Sequence, residues 1–252
     1  MNDSKIVLIT GATGRLGADL VGRFAVSGWR VIFHYRTARD VAVTQQRALR
    51  LKGYDVHAVG GIFDEDSAVA EFAERVIKEH GCPDLTINNA SSFQYDFPGH
   101  IDRDILRQSI DVHVIAPAIL IDAFANEGRR SEKKIDIINI IDQKVNNINP
   151  DYYSYTIGKI GLAGITKIWQ SAHIEGVRVF GVYPGLMSVS GDQTLDRFED
   201  DVRKSLLGRV VTSDDIYDGI IYLVNSKSLY GSDLTIDAGE SIVPRARDVA
   251  FE

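Results

Sequence analysis

The chain is poor in cysteine, with Cys82 alone among 252 residues. An intrachain disulfide is excluded, and a reducing compartment is the expected setting. No apolar run approaches the roughly 18 residues that a bilayer-crossing helix needs, so no membrane span is expected. A basic segment followed by an apolar leader is missing too: Met1-Asn2-Asp3-Ser4-Lys5 runs straight into Ile6-Val7-Leu8-Ile9. The expected location is cytoplasmic. Positive charge is scarce, with 28 Lys and Arg against 35 Asp and Glu and a net charge of -7. That balance argues against a nucleic-acid or anionic-membrane partner, though not against a local basic pocket. Linkers, internal repeats and low-complexity tracts are absent. With 44% hydrophobic and 25% charged residues, the composition suits one globular domain over residues 1–252.

What is present is alternation. Short apolar strands are expected at residues 5–10, 30–35, 55–59, 84–88, 134–141, 177–183 and 233–237. Amphipathic helices are expected after the first strand to about Ser27, then at 38–51, 64–80, 102–127 and 213–225. Another should begin near Asp151, a plausible N-cap. Such alternation predicts an α/β, doubly wound, mostly parallel sheet of about seven strands with helices on both faces. Residues 186–207 read as an irregular polar loop, rich in Asp and Ser (Ser188, Ser190, Asp192, Asp196). The tail 242–252 is too polar for a core strand.

Gly11-Ala12-Thr13-Gly14-Arg15-Leu16-Gly17 stands between the first strand and its helix. In that context backbone N–H groups at a helix N-terminus face a dinucleotide pyrophosphate, and the glycines allow close approach. The second strand ends in His34-Tyr35-Arg36, with no Asp or Glu to accept a ribose 2′-hydroxyl. Arg36 can pair with a 2′-phosphate, and Arg15 adds a second positive charge, so NADPH is the expected cofactor.

Tyr155 and Lys159 lie four residues apart and share a helix face, and Asp142 leaves a strand thirteen residues earlier. A phenol with a reference pKa of about 10 is a poor acid at neutral pH. A nearby ammonium stabilises the phenolate and lowers that pKa, making Tyr155 a proton donor for a hydride-accepting substrate. Tyr-x-x-x-Lys also recurs by chance on helix surfaces, so it carries weight only beside the other motifs.

Those motifs are Thr10-Gly11-Ala12, Asn88-Asn89-Ala90, Tyr155-x-x-x-Lys159 and Pro184-Gly185. Together they resemble the short-chain dehydrogenase/reductases over nearly the whole chain. The resemblance implies a Rossmann fold, Tyr155 as proton donor, Lys159 on the nicotinamide ribose, and an Asn-Asn-Ala turn that supports the cofactor. Arg15 in place of the usual Gly, Asp142 in place of the usual Ser, and Asn89-Ala90-Ser91-Ser92-Phe93 resemble the pteridine reductase branch. So do His34-Tyr35-Arg36, Ala116-Pro117 and Pro184-Gly185-Leu186.

The resemblance implies a cofactor site of Gly11, Thr13, Arg15, Leu16, His34, Tyr35, Arg36, Asn89, Ala90, Ser91, Lys159, Pro184 and Gly185. It implies a pterin site of Ser91, Phe93, Asp142, Tyr155 and Leu186, in which Phe93 stacks on the pterin and Asp142 relays a proton to Tyr155. No metal is implied. A flat, polar heteroaromatic fits between Phe93 and a nicotinamide ring; the competing assignment for Phe93 is a core aromatic.

Two further residues depart from the family pattern. His113 takes the place of an Asn that holds a water, and Gly61 takes that of an Asp on adenine, where a backbone N–H could substitute. The activity expected is NADPH-dependent reduction of a pterin. Its rivals are reduction of another carbonyl or activated C=C bond, and cofactor binding without turnover.

Gly158, Gly161 and Gly164 form a stripe on the Tyr155 helix, turned away from Tyr155 and Lys159. Three helical glycines suggest close backbone approach. The neighbour is either the protein's own sheet or, as the resemblance implies, a second copy in a homotetramer.

Overall fold

Val7, Leu8 and Ile9 are all fully buried, because the first strand is covered on both faces. Val7 and Ile9 pack with Leu20, Val21 and Phe24, whereas Leu8 packs with Phe72, Val76 and Phe124. This period-two split divides the core into two layers, one on each side of a sheet. The computed structural model describes residues 4–187 and 195–251.

The strands are β1 (Ile6–Ile9), β2 (Arg30–Tyr35), β3 (Val56–Gly60), β4 (Leu85–Asn88), β5 (Ile135–Ile140), β6 (Val177–Pro184) and β7 (Asp233–Ile236). They form a parallel sheet in the order β3-β2-β1-β4-β5-β6-β7. The chain therefore winds outward from β1 in one direction and from β4 in the other. The C-terminal ends of β1 and β4 bracket the switch point, where such sheets open a crevice. Helices α1 (Arg15–Val26), α2 (Arg39–Leu51), α3 (Asp66–His80), α4 (Arg103–Ile110) and α5 (Ala116–Arg130) cover the first half. Helices α6 (Tyr153–Ser171), α7 (Leu195–Arg203) and α8 (Ser213–Asn225) cover the second. The doubly wound α/β architecture is as the alternation predicts. Ser188, Ser190 and Asp192 of the expected polar loop lie outside the described residues, and the stretch after them carries α7.

The long helix expected at 102–127 is interrupted. A π-helical turn, Asp111–Ile115, separates α4 from α5 and carries the fully buried His113. The whole span Arg103–Arg130 has the length and hydropathy of a bilayer-crossing helix. Its residues Leu120, Ile121 and Phe124, however, are buried against the sheet.

Asp151 is not the N-cap of α6. That position falls to Tyr152, in the left-handed region at φ 53°. The first turn is capped from far away in sequence: Asp96 accepts from Ser154 N–H at 2.8 Å and from the Ser154 hydroxyl. Asp151, fully buried, instead takes a bidentate pair of hydrogen bonds from Arg247 (2.7 and 2.8 Å) and one from Asp248 N–H (2.7 Å).

The glycine stripe has an internal explanation at two of its three positions. A Cβ on Gly158 would stand 2.5 Å from Ser109 Oγ and 2.6 Å from His113 Nδ1. One on Gly161 would stand 2.6 Å from Val114 Cγ2. The neighbour is the chain's own α4 and π turn, not its sheet. A bulky residue at 161 therefore strikes Val114 whatever the assembly state. Gly164 meets nothing within 4 Å. Gly158→Ala is expected to destabilise the fold by about 1–3 kcal/mol through overpacking. For a single copy, Gly164→Ala is expected to stabilise the fold by about 0.5–1 kcal/mol through helix propensity. Thermal or denaturant melts of the pair check this contrast.

Candidate active site

A cleft of about 1400 Å³ opens at the switch point, lined by the glycine turn, the ends of β4, β5 and β6, and the C-terminal tail. That exceeds the roughly 300–1,000 Å³ typical of a site for one drug-sized ligand. There is room for two ligands side by side.

One half is built by the turn after β1. Gly11 sits at φ 62°, and a Cβ there would come within 2.6 Å of Ala90 Cα. Glycine is required twice over, for conformation and for space. Helix α1 starts after Gly14 with no side-chain cap and no acidic residue in its first turn. Its N–H groups and partial positive charge thus remain available to an anion. Thr13, Arg15, Leu16 and Arg36 line this half, and both arginines are exposed. Asn89 ties the turn to β4: its amide donates to Thr10 O (2.9 Å) and Gly11 O (3.1 Å). Thr10 Oγ1 accepts from the Asn89 and Ala90 N–H groups, each at 3.0 Å. Uncapped helix, glycine cradle and paired cations fit the pyrophosphate and 2′-phosphate of a dinucleotide.

His34 does not line the cleft. It is 2% exposed and stacked on Phe63, with ring centroids 4.2 Å apart. Nδ1 accepts from Gly11 N–H (3.1 Å), so Nε2 carries the proton and donates to Gly61 O (3.0 Å). Burial pushes its pKa down to about 4, keeping the imidazole neutral. Its side chain holds the glycine turn from behind. Tyr35 likewise leans over Gly60, 3.0 Å from where a Cβ would be, and is not part of the cleft lining. Gly61 N–H already donates to Tyr35 O (3.0 Å), so it is not free to replace the missing acid. A side chain at 61 would meet Phe72 at 2.8 Å.

The other half holds Tyr155, Asp142 and Lys159. Tyr155 Oη donates to Asp142 Oδ2 at 2.5 Å. Lys159 Nζ donates to Ile140 O at 2.8 Å, leaving two of its three N–H groups for a ligand. A buried polar chain fixes α6 against the sheet. Asn88 donates to Asn139, Asn139 to Thr166, and Thr166 to Leu162 O, each at 2.8 Å.

Burial pushes the Tyr155 pKa well above 10, and the Asp142 carboxylate adds to the rise. The expectation that Lys159 lowers it fails for the protein by itself, because desolvation and the carboxylate outweigh the ammonium. Burial raises Asp142 above the usual carboxylate range, against the opposing hydrogen bonds of Tyr155 and Lys144 and the Lys159 charge. Burial brings Lys159 down to about 8, with Asp142 resisting. The pair can thus hold an extra proton.

Phe93 stands over this group, edge-on to Tyr155 (4.8 Å, 87°) and stacked on Tyr152 (4.1 Å, 24°). It is 44% exposed and lines the cleft, so it is not a core aromatic. Ser91, Pro184, Gly185 and Leu186 line the cleft as well. Leu186 N–H is held by the buried Glu240 carboxylate (2.8 Å), whose pKa burial raises to about 7.

Sequence reasoning missed the tail. Asp248 pairs with the buried Lys144 (2.9 Å), and Phe251 packs against Tyr95 (5.1 Å). Asp248, Val249 and Phe251 wall the substrate half. The available signal was an aromatic and an Arg-Asp pair in an otherwise polar terminus.

Known proteins resemble this chain along its length. The short chain dehydrogenase family profile matches residues 5–200. A dihydromonapterin reductase of Citrobacter koseri is 26% identical, with 94% of this chain and 96% of that protein covered. Pteridine reductase 1 of Leishmania tarentolae is 28% identical, over the same shares. The crystal structure of FolM alternative dihydrofolate reductase 1 from Brucella suis, in complex with NADP, superposes with a TM-score of 0.90. It is 26% identical, covering 97% of this chain and 98% of its own.

Proposed function

The chain belongs to the short-chain dehydrogenase family, in its pteridine reductase branch, and from that premise we propose that it is an NADPH-dependent reductase of a pterin with Tyr155 as proton donor. The observation that carries the reading is the Tyr155–Asp142 hydrogen bond beneath Phe93, on the cleft that also holds Arg15 and Arg36. NADPH, when bound, supplies the hydride. Arg15 and Arg36 take its 2′-phosphate, the α1 N-terminus its pyrophosphate, and Lys159 its nicotinamide ribose. The open surface of Phe93 stacks on the pterin.

Reduction of a ring C=N bond places hydride on carbon and needs one proton on nitrogen. Tyr155 donates its hydroxyl proton, and protonated Asp142 refills it. When Asp142 is charged, the Tyr155 proton is engaged with it and unavailable to substrate. The competent form carries the extra proton.

The reading extends to a cytoplasmic homotetramer that needs no nucleic acid or membrane. Ile160 and Ile168 are exposed on either side of the open Gly164 on α6, which supports that face as an interface between copies. Light scattering on the wild type reads the assembly mass.

A spectrophotometric panel tests the activity: dihydrobiopterin, dihydromonapterin, dihydrofolate, folate, and several quinones and ketones, each with NADPH and NADH. A pterin should give the highest kcat/KM, with NADPH. Turnover of a quinone or ketone with none of any pterin would overturn the reading.

A further inference from the structure

His113 is a family position buried behind the cleft wall, and the reading above leaves its chemistry without a task. It is fully buried in the π turn, edge-on to Tyr155 with ring centroids 5.5 Å apart. Its hydrogen bonds determine its tautomer. The Ser92 N–H points at Nε2 (3.3 Å), so Nε2 is bare. Nδ1 then carries the proton and donates to Ser109 Oγ (3.1 Å), whose own hydroxyl donates to Ser154 O (2.7 Å). Every donor in this run of hydrogen bonds has an acceptor. Desolvation lowers the His113 pKa, and the Lys159 charge facing it adds to the effect, so the ring stays neutral.

A bare Nε2 lies 2.9 Å from Ser91 Oγ. Only the Ser91 hydroxyl can bring a proton to that contact. Ser91 is exposed on the cleft wall, and with its single hydrogen turned inward it offers the cleft lone pairs only. We propose that His113 is a positioning residue that fixes Ser91 as a hydrogen-bond acceptor, so that the ligand must meet it with an N–H donor. The assignment of that donor to the amino or ring N–H of a pterin rests on the pterin reductase reading. The nicotinamide carboxamide carries the same chemistry, and the test separates the two. The π turn has a reason in this arrangement: it carries His113 to the Ser91–Ser92 backbone while Gly158 leaves room for the ring, 2.6 Å from its missing Cβ.

The first measurement needs no variant. A two-bond ¹H–¹⁵N spectrum of histidine-labelled wild type should show His113 with a protonated Nδ1 and a bare Nε2. That pattern should hold from about pH 5 to about pH 9, across the ordinary imidazole range. A proton on Nε2, or titration within that range, overturns the proposal, whatever the substrate proves to be.

The second measurement is a double-mutant cycle. Ser91→Ala and His113→Phe should each lower pterin kcat/KM about tenfold, the effect of one lost hydrogen bond. The double variant should lose little more than either single, because His113 acts through Ser91. His113→Gln, whose amide oxygen can take the place of Nε2, should recover most of the loss. If the carboxamide is the donor, the same non-additive pattern appears in the NADPH dissociation constant and spares the pterin KM. Additive losses, or a Gln variant no better than the Phe variant, overturn the proposal. Failure to turn over any pterin, with the wild-type spectrum as described and the pattern present in NADPH binding, overturns the substrate reading alone.

Discussion

Tyr155→Phe is expected to lower kcat by about 10²–10⁴-fold, the contribution of a general acid, while leaving NADPH affinity near that of the wild type. The ring keeps its edge contact with Phe93 and its place near Lys159 Nζ, 5.6 Å from the ring centroid. Only the transferable proton and the hydrogen bond to Asp142 go. A Phe variant with near-wild-type kcat would remove Tyr155 from the donor role.

The pH dependence follows from the same pair. The competent state has Asp142 protonated, and its pKa lies above the usual carboxylate range. Turnover should therefore fall as pH rises through that value. It should fall again as Lys159 loses its charge near pH 8. Asp142→Asn cannot titrate, and its amide can still donate to the Tyr155 oxygen. That variant should lose the first fall and keep the second. Glu240, raised to about 7 by burial, titrates as well, and its pKa should drop once the Asp142 charge is gone. Single-turnover rates across pH decide the matter: an unchanged profile in Asp142→Asn excludes the relay.

Arg36→Ala should weaken NADPH binding by roughly 10–150-fold, from about 1.5–3 kcal/mol for a hydrogen bond to a charged group, and NADH binding hardly at all. The reasoning is local. Arg36 follows the last residue of β2, on the cleft wall, and β2 ends without a carboxylate. Because Arg36 is exposed, screening places the effect toward the lower end, and added salt should narrow the gap between the cofactors. Arg15 shares the load at the turn, so Arg15→Ala should push in the same direction. Calorimetric titration of both cofactors checks the ratio. Equal losses for NADPH and NADH would show that Arg36 does not read the 2′-phosphate.

The strands and most helices were legible because each rests on neighbours in sequence. Apolar runs bounded by glycine mark strands covered on both faces, and β2 and α8 begin and end where the pattern places them. Gly11, Arg15 and Arg36 could be placed because a strand–turn–helix–strand unit brings them together within a few dozen residues. Tyr155 and Lys159 could be placed because four residues make one helical turn. The misreadings share a different physics. Asp151 resembles a cap to anyone counting neighbours, yet Asp96 supplies the cap from 58 residues away, and Asp151 takes Arg247 from 96 residues away. His34 sits at a cofactor-reading position, but its ring turns under Gly11, 23 residues earlier. The Tyr155 pKa reverses because an adjacent ammonium can be inferred from spacing, whereas desolvation depends on everything packed above it.

By itself, then, the sequence determined the doubly wound sheet, the crevice at its switch point and the types of residue that reach it. The tertiary structure alone decided which donors meet which acceptors: His113 against Ser91, Glu240 against Leu186, and the tail across the substrate half. Backbone periodicity is a short-range property that each segment carries in its own residues. The partner of a buried polar group is whichever long-range neighbour the packing delivers, and burial obliges it to take one.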